Sequence, residues 1–174
     1  MSRIEEMERE LRNAQAASGQ GSYERRQPNP LARAQLVKVR RQLVEALSEK
    51  PDDVRVLLLL ASSEEALLNY PATVSLLERA SQLLPGPDRR VLKQLARSRE
   101  YARFWTELRL APAELEGLGR FLRLEFLHAP CDASRRLTER WIAVNRPGEV
   151  DDILRGLESG GGYCDCEVLA NVAK

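Results

Sequence analysis

The sequence predicts an all-α protein, and three observations support that fold class. Leucine and alanine dominate the apolar residues, and aromatic residues make up only 5% of the chain, a composition that favours helices over sheets. From Leu31 onward, apolar side chains recur every three to four residues, which is the spacing of one helix face. No segment shows the alternation of apolar and polar residues that is typical of a half-buried strand. We expect antiparallel helical hairpins followed by a small, cysteine-containing helical domain.

The first 17 residues predict a short amphipathic helix. Ser2 and Glu5 have the spacing of a capping box, in which each side chain accepts a hydrogen bond from the backbone of the other residue. The apolar residues that follow at helical spacing are Ile4, Met7, Leu11 and Ala14. Residues 18–30 combine Gly, Ser and Pro without an apolar period. We therefore expect a flexible linker there.

Residues 31–130 are predicted to form a helical, repeat-like domain. Pro51, Pro71 and Pro85 separate its apolar stripes, because proline interrupts a helix interior, and Pro112 suits the first turn of a further helix. Three residue pairs share an offset of 34 positions: Leu43 and Leu77, Ala46 and Ala80, and Pro51 and Pro85. With this period, residues 31–87 resemble a tetratricopeptide-type helical hairpin repeat. A generic antiparallel helix bundle, which shares most of these features, is the alternative.

The resemblance to a helical repeat implies a surface for a partner. If residues 54–85 form one repeat, its first helix presents Arg55, Leu58, Ser62 and Glu65 on the concave side. Stacked helix pairs bind protein or peptide segments by groove shape and side-chain contacts, without chemistry. The leading hypothesis is therefore a non-enzymatic interaction module with a protein or peptide partner.

Charge and hydropathy indicate which other classes of partner to expect and in which compartment the protein lies. A formal net charge of +1 gives no general reason to expect nucleic acid as a partner. The longest apolar stretch, residues 56–61, is far too short to cross a bilayer, and the first residues lack the apolar core of a secretory signal. Three cysteines, an odd number, do not suit a secreted disulfide framework. We expect a cytoplasmic protein without a membrane partner.

Catalytic motifs are missing from the sequence. His128 is the only histidine, and no serine lies in a Gly-x-Ser-x-Gly motif. The glycines at 160–162 are not followed by the Lys-Ser or Lys-Thr pair of a phosphate-binding loop. We therefore expect that the protein is not an enzyme.

The three cysteines predict a metal site. Cys164 and Cys166 lie one residue apart, and Cys131 follows His128 by three positions, so the four residues supply the donors of one structural zinc ion. We expect a turn to bring both Cys164 and Cys166 to one ion, because the glycines directly upstream give the backbone the freedom to turn there. The carboxylates that can replace His128 as the fourth donor are those of Asp132, Asp165 and Glu167.

The cysteine pattern also fits two other roles. Each is a small apolar side chain that can simply pack the last turn against the preceding helix. Alternatively, the thiols of the C-terminal segment act as a redox sensor or in an enzyme, which requires an accessible cysteine with a lowered pKa.

The cysteine-containing segment is similar to a known bacterial family. Its motifs are Cys131-Asp132, then Arg136-Leu137-Thr138-x-x-Trp141, and finally Gly161-Gly162-Tyr163-Cys164-Asp165-Cys166-Glu167-Val168-Leu169. On these motifs the segment resembles the uncharacterised domain-of-unknown-function 2695 family. The resemblance covers residues 131–174 and implies a domain boundary near Pro130 but no activity. Within the segment, we expect Asp132 to cap a helix, and the glycines at 160–162 to end another.

Overall fold

The structure, a computed structural model, describes residues 2–20 and 27–173. Within these ranges the chain forms helices and no strand, which confirms the all-α prediction. The helices are α1 (Arg3–Ala17), α2 (Pro30–Glu49), α3 (Val54–Ala66), α4 (Tyr70–Leu83), α5 (Arg89–Leu108), α6 (Pro112–Glu125), α7 (Arg136–Asn145), α8 (Val150–Ser159) and α9 (Asp165–Glu167), followed by a π-helical turn, Val168–Val172. None of these helices is long and apolar enough to span a bilayer. The predicted linker at 18–30 lies partly outside the described residues.

The chain divides into two compact units, Met1–Ala102 (unit 1) and Arg103–Lys174 (unit 2). The boundary falls inside α5. The prediction placed a boundary near Pro130, and that residue lies within unit 2. The physical reason is that α6, which precedes Pro130, contributes to the same apolar core as α7 and α8.

Unit 1 is built from amphipathic helices in an antiparallel arrangement. The predicted capping box at Ser2 and Glu5 is present and starts α1. Helix α1 packs against α2 and α3, and α3 packs against α4. Residues of α1, α2 and α3 share one buried cluster: Met7, Leu11, Ala14, Leu36, Val39, Leu43, Ala46, Val56, Leu60 and Ala66. The stripes that the sequence shows are therefore the faces that the helices bury.

The helices of the α3–α4 hairpin start and end near the residues that the sequence predicts. Asp53 caps α3 by accepting a hydrogen bond from the backbone N–H of Val56 at 3.1 Å. Leu68, at the turn, has a positive φ of 62°, which lets the chain reverse before α4 begins. Pro71 lies in the first turn of α4, where its missing N–H costs no hydrogen bond. These features confirm helical hairpins, whereas tetratricopeptide-type geometry stays a prediction.

Unit 2 is made of shorter helices around a single apolar core. Its buried residues come from the end of α5, from α6, α7 and α8, and from the final turn: Leu108, Leu110, Leu115, Leu118, Leu122, Ile142, Ile153, Leu154, Leu157, Val168, Val172 and Ala173. Core residues lie both before and after Pro130, with fewer than half of them before it. Neither the segment before Pro130 nor the segment after it therefore completes the core alone.

Glycines allow the close approaches in unit 2. A Cβ atom added at Gly156 would lie 2.6 Å from Cα of Leu108 and would also clash with the Glu107 carbonyl. Helix α8 therefore meets the end of α5 backbone to backbone. Gly161 has a φ of 82°, a left-handed conformation that ends α8 as predicted for the glycine run. The chain then turns toward the two neighbouring cysteines.

Candidate metal centre

The three cysteine sulfurs lie together in unit 2. All three Sγ atoms are within 4.8 Å of one another, and those of Cys164 and Cys166 are 3.1 Å apart. A tetrahedral zinc ion with Zn–S bonds of about 2.3 Å separates its sulfurs by about 3.8 Å, which is within the 4.8 Å limit and slightly longer than the 3.1 Å separation. The thiols are free and not paired as disulfides. The arrangement is therefore compatible with three bonds to one metal ion.

A change of backbone direction brings the sulfurs of Cys164 and Cys166 close together. Cys164 is extended, with φ of −140° and ψ of 169°, and α9 begins at the next residue. In a continuous strand, residues two apart point to the same face but lie about 6.6 Å from one another. The turn into α9 brings the two sulfurs closer than that, to 3.1 Å.

Asp165, between the two cysteines, fixes this turn to helix α7. Its side chain accepts hydrogen bonds from the backbone N–H groups of Leu137 at 3.0 Å and Thr138 at 2.9 Å, and from the Thr138 hydroxyl at 2.6 Å. Its own N–H donates to the Ser134 carbonyl at 2.8 Å. Asp165 is only 1% exposed. A carboxylate from a distant part of the chain therefore caps α7 and holds the two cysteines in place.

This capping arrangement corrects the prediction for Asp132. That residue does not cap α7: its Oδ1 accepts hydrogen bonds from the Ser134 N–H at 3.0 Å and hydroxyl at 2.6 Å, in the turn before the helix. Ala133, within this turn, has a positive φ of 62°. The local sequence showed a short polar residue near the helix start. It did not show that Asp165, 27 residues after Thr138, supplies the cap.

The environment of the sulfurs favours one thiolate more than three. Burial raises the pKa of Cys131, but hydrogen bonds from the backbone N–H groups of Cys166 and Ala133 and from the other two thiols outweigh it, so the pKa of Cys131 lies below its usual value. Hydrogen bonding to Cys164 and Cys131 raises the pKa of Cys166 to about 12. Without a cation, three adjacent thiolates repel one another. A bound metal ion would remove that repulsion.

The predicted fourth donors are not part of the sulfur cluster. His128 is exposed and borders a cavity of about 100 Å³ that Cys131 also lines. Glu167 accepts a hydrogen bond from the Tyr163 N–H at 3.1 Å, and the carboxylates of Asp132 and Asp165 are occupied by the turn and the helix cap. His128 as a ligand therefore stays a prediction.

The predicted partner-binding residues lie in unit 1, on and beside α3. Arg55 pairs with Glu8 of α1 at 2.6 Å, and Leu58 packs against a buried cluster that includes Ala61 and Leu77. The Ser62 carbonyl accepts a hydrogen bond from the Gln15 side chain at 3.3 Å. Helix α1 thus covers part of the face that the repeat hypothesis leaves open for a partner.

A cavity of about 250 Å³ lies next to this covered face. Ser62 and Glu65, two of the four predicted residues, are among those that line it. Glu65 bonds to Arg97 at 2.5 Å and to Gln94 at 2.7 Å, so the cavity has a charged wall. The tilted aromatic pair Tyr70 and Tyr101, with ring centroids 4.9 Å apart, forms another part of the lining.

Fold and site together define a helical protein with a three-cysteine cluster in its second unit. The model of the family described as "Protein of unknown function (DUF2695)" matches residues 118–171. Similar proteins include the uncharacterized proteins Rv2271 of Mycobacterium tuberculosis and Mb2294 of Mycobacterium bovis. Each is 32% identical over 84 residues, which cover 48% of this chain and 84% of the relative. No solved structure matches the chain.

The chain belongs to the DUF2695 family, which confirms the resemblance found in the cysteine motifs. The family match begins inside α6, earlier than the predicted start at residue 131, in keeping with the place of α6 in the core of unit 2. The motif residues also contact one another: Leu137 and Thr138 donate hydrogen bonds to Asp165 of the Cys-Asp-Cys motif.

Proposed function

We propose that unit 2 binds one zinc ion through the thiolates of Cys131, Cys164 and Cys166. The observation that carries this proposal is the convergence of the three Sγ atoms to within 4.8 Å of one another. Thiolates are the donors that zinc prefers in structural sites, and binding replaces the protons of the thiols. The ion would join the turn at 131–134 to the final helical turn, and we propose a binding role, without catalysis, for this centre.

The short helices after Pro130 support a stabilising role for the metal. The residues after Pro130 contribute only part of the buried cluster of unit 2, and their helices α7 and α8 have 10 residues each. Small units with few apolar side chains commonly depend on a metal or on docking to a larger core. Zinc would add a second connection between segments that Asp165 already joins.

Metal analysis of purified, untagged protein tests the zinc proposal. We expect about one zinc per chain, and a loss of most of it in the Cys131→Ser variant, since three-ligand binding requires every cysteine. Ser134→Ala is the matched control, because it alters the same turn without removing a sulfur. A zinc content near zero in protein prepared without chelator would contradict the proposal. Rapid alkylation of such metal-free protein by iodoacetamide would instead favour the thiol redox alternative.

We also propose that unit 1 contacts a protein or peptide partner. The specific observation in its favour is the cavity beside α3 that Ser62 and Glu65 line, with the charged Arg97 on its wall. A photo-crosslinking residue at position 62 should give one discrete adduct in cells, because the residue borders the cavity. The same residue at the exposed Ser48 of α2 is the control. Equal adduct patterns at both positions, or none at position 62, would contradict the proposal.

A further inference from the structure

The metal centre proposed above lacks a fourth ligand within its cluster. Among the residues that the structure describes, the group of possible metal ligands within 4.8 Å of one another contains the three cysteines alone. Zinc sites with four protein ligands are closed and structural, whereas sites with three protein ligands keep one position for an external ligand. Three protein donors therefore indicate a metal site whose fourth position takes an external ligand.

The neighbouring carboxylates are held in other hydrogen bonds. Asp165 is buried and caps α7, so its movement to a metal ion would uncap that helix. Asp132 accepts two hydrogen bonds from Ser134, and Glu167 accepts one from the Tyr163 N–H. None of these carboxylates belongs to the group of ligand atoms within 4.8 Å of one another, so a carboxylate would have to move to become the fourth ligand.

Access and charge indicate what an external ligand would be. Cys166 is exposed, and Cys131 and Cys164 are half-buried, so an ion on the three sulfurs would lie near the surface. Three thiolates bring three negative charges to Zn²⁺, which leaves the centre with a net charge of −1. Electron donation from three sulfurs makes such an ion a weak acid toward water and a better match for a soft donor.

We propose that the three-cysteine metal centre takes an external low-molecular-weight thiol as its fourth ligand. This inference rests on the metal-binding function proposed above. In the exchange, a metal–sulfur bond forms to the incoming thiol, the bond to a water molecule breaks, and the thiol proton passes to solvent. No electron is transferred. The thiol is thereby held as a thiolate at neutral pH, next to the cavity that Cys131 and His128 line.

Cobalt substitution of the full chain tests the proposal. Co²⁺ takes the zinc position, and its sulfur-to-cobalt charge-transfer absorption grows with the number of thiolate ligands. Addition of N-acetylcysteine should raise this absorption by about a third, since three sulfur ligands become four. N-acetylserine, which carries a hydroxyl in place of the thiol, should leave the spectrum unchanged. The His128→Ala variant should respond to N-acetylcysteine as the unmodified chain does.

Three results would overturn the proposal, and they are distinguishable. If N-acetylcysteine has no effect while His128→Ala changes the spectrum of the cobalt protein, His128 is the fourth ligand. The second result is removal of cobalt from the protein by N-acetylcysteine, detected as cobalt in the filtrate after ultrafiltration. In that case the site does not hold a metal ion and an external thiol together. If the chain gives no sulfur-to-cobalt absorption before any thiol is added, the metal-binding function itself is wrong.

Discussion

The two units of the molecule reach stability by different means. Unit 1 uses helices of 13 to 20 residues, and each buries a regular apolar stripe against its neighbours. Unit 2 uses helices of 10 residues or fewer after α6, and it adds a buried carboxylate, backbone contacts at glycine and a sulfur cluster. Long helices bury a continuous apolar stripe, whereas short helices offer fewer apolar side chains and depend more on contacts of other kinds.

Truncation of a core leucine should have the largest effect, and it should be similar in the two units. Leu43 of α2 and Leu118 of α6 are both fully buried. We expect Leu43→Ala and Leu118→Ala each to lower the free energy of unfolding of their unit by about 3 kcal/mol, because each leaves a cavity. Hydrogen exchange of peptides from each unit measures the loss. Val44→Ala, at a half-exposed neighbour of Leu43, should cost less than about 0.5 kcal/mol.

A glycine substitution should destabilise unit 2 and leave the stability of unit 1 unchanged. Gly156→Ala should destabilise unit 2 by about 2 to 3 kcal/mol, because its Cβ would overlap the backbone at Leu108. Thermal unfolding, with hydrogen exchange to localise the change, measures it. Gly86→Ala in unit 1 is the matched control, since no atom lies within 4 Å of its added Cβ. Equal tolerance of both substitutions would show that α8 does not approach α5 as closely as the structure indicates.

Loss of the distant helix cap should cost more than loss of a local one. Asp165→Ala removes three hydrogen bonds from Leu137 and Thr138, and leaves buried N–H groups without partners, for a loss of about 2 kcal/mol in unit 2. Asp53→Ala removes only the cap of α3 in unit 1, which costs about 1 kcal/mol. Denaturant unfolding measures the loss of free energy of unfolding in each of the two variants. The comparison fails if Asp53→Ala proves the more damaging of the two.

The last comparison is the pH dependence of metal affinity, an effect on binding and not on unfolding, which only unit 2 should show. Metal must displace the proton of Cys166, whose pKa is raised to about 12, so acidification favours the protonated thiol and weakens binding. Affinity for Co²⁺ should fall about tenfold for each proton displaced when the pH drops by one unit. Titrations monitored by charge-transfer absorption measure it. Cys166→Ser should bind more weakly and with a shallower pH dependence, and a pH-independent affinity would contradict the assignment.

Much of the fold was predictable because local rules determine it. The capping box at Ser2, the proline at position 71 and the glycine run that ends α8 act within a few residues of where they stand. The predicted boundary near Pro130 differs from the observed division for the opposite reason. Proline marks the end of a helix, but membership of a core depends on side chains far apart in sequence, such as Leu118 of α6 and Ile153 of α8.

The sequence by itself determined the helices, the set of soft metal donors and the family, because periodicity and motif spacing are properties of neighbouring residues. Only the tertiary structure decided which donors meet. It brings Cys131 to Cys164 and Cys166, and it places His128 at the surface outside their cluster. It also shows that Asp165, one of the alternative fourth donors, is the cap of α7. The physical reason is that a buried carboxylate needs hydrogen-bond partners, and the N–H groups that Asp165 contacts belong to a helix start 27 residues earlier in the chain.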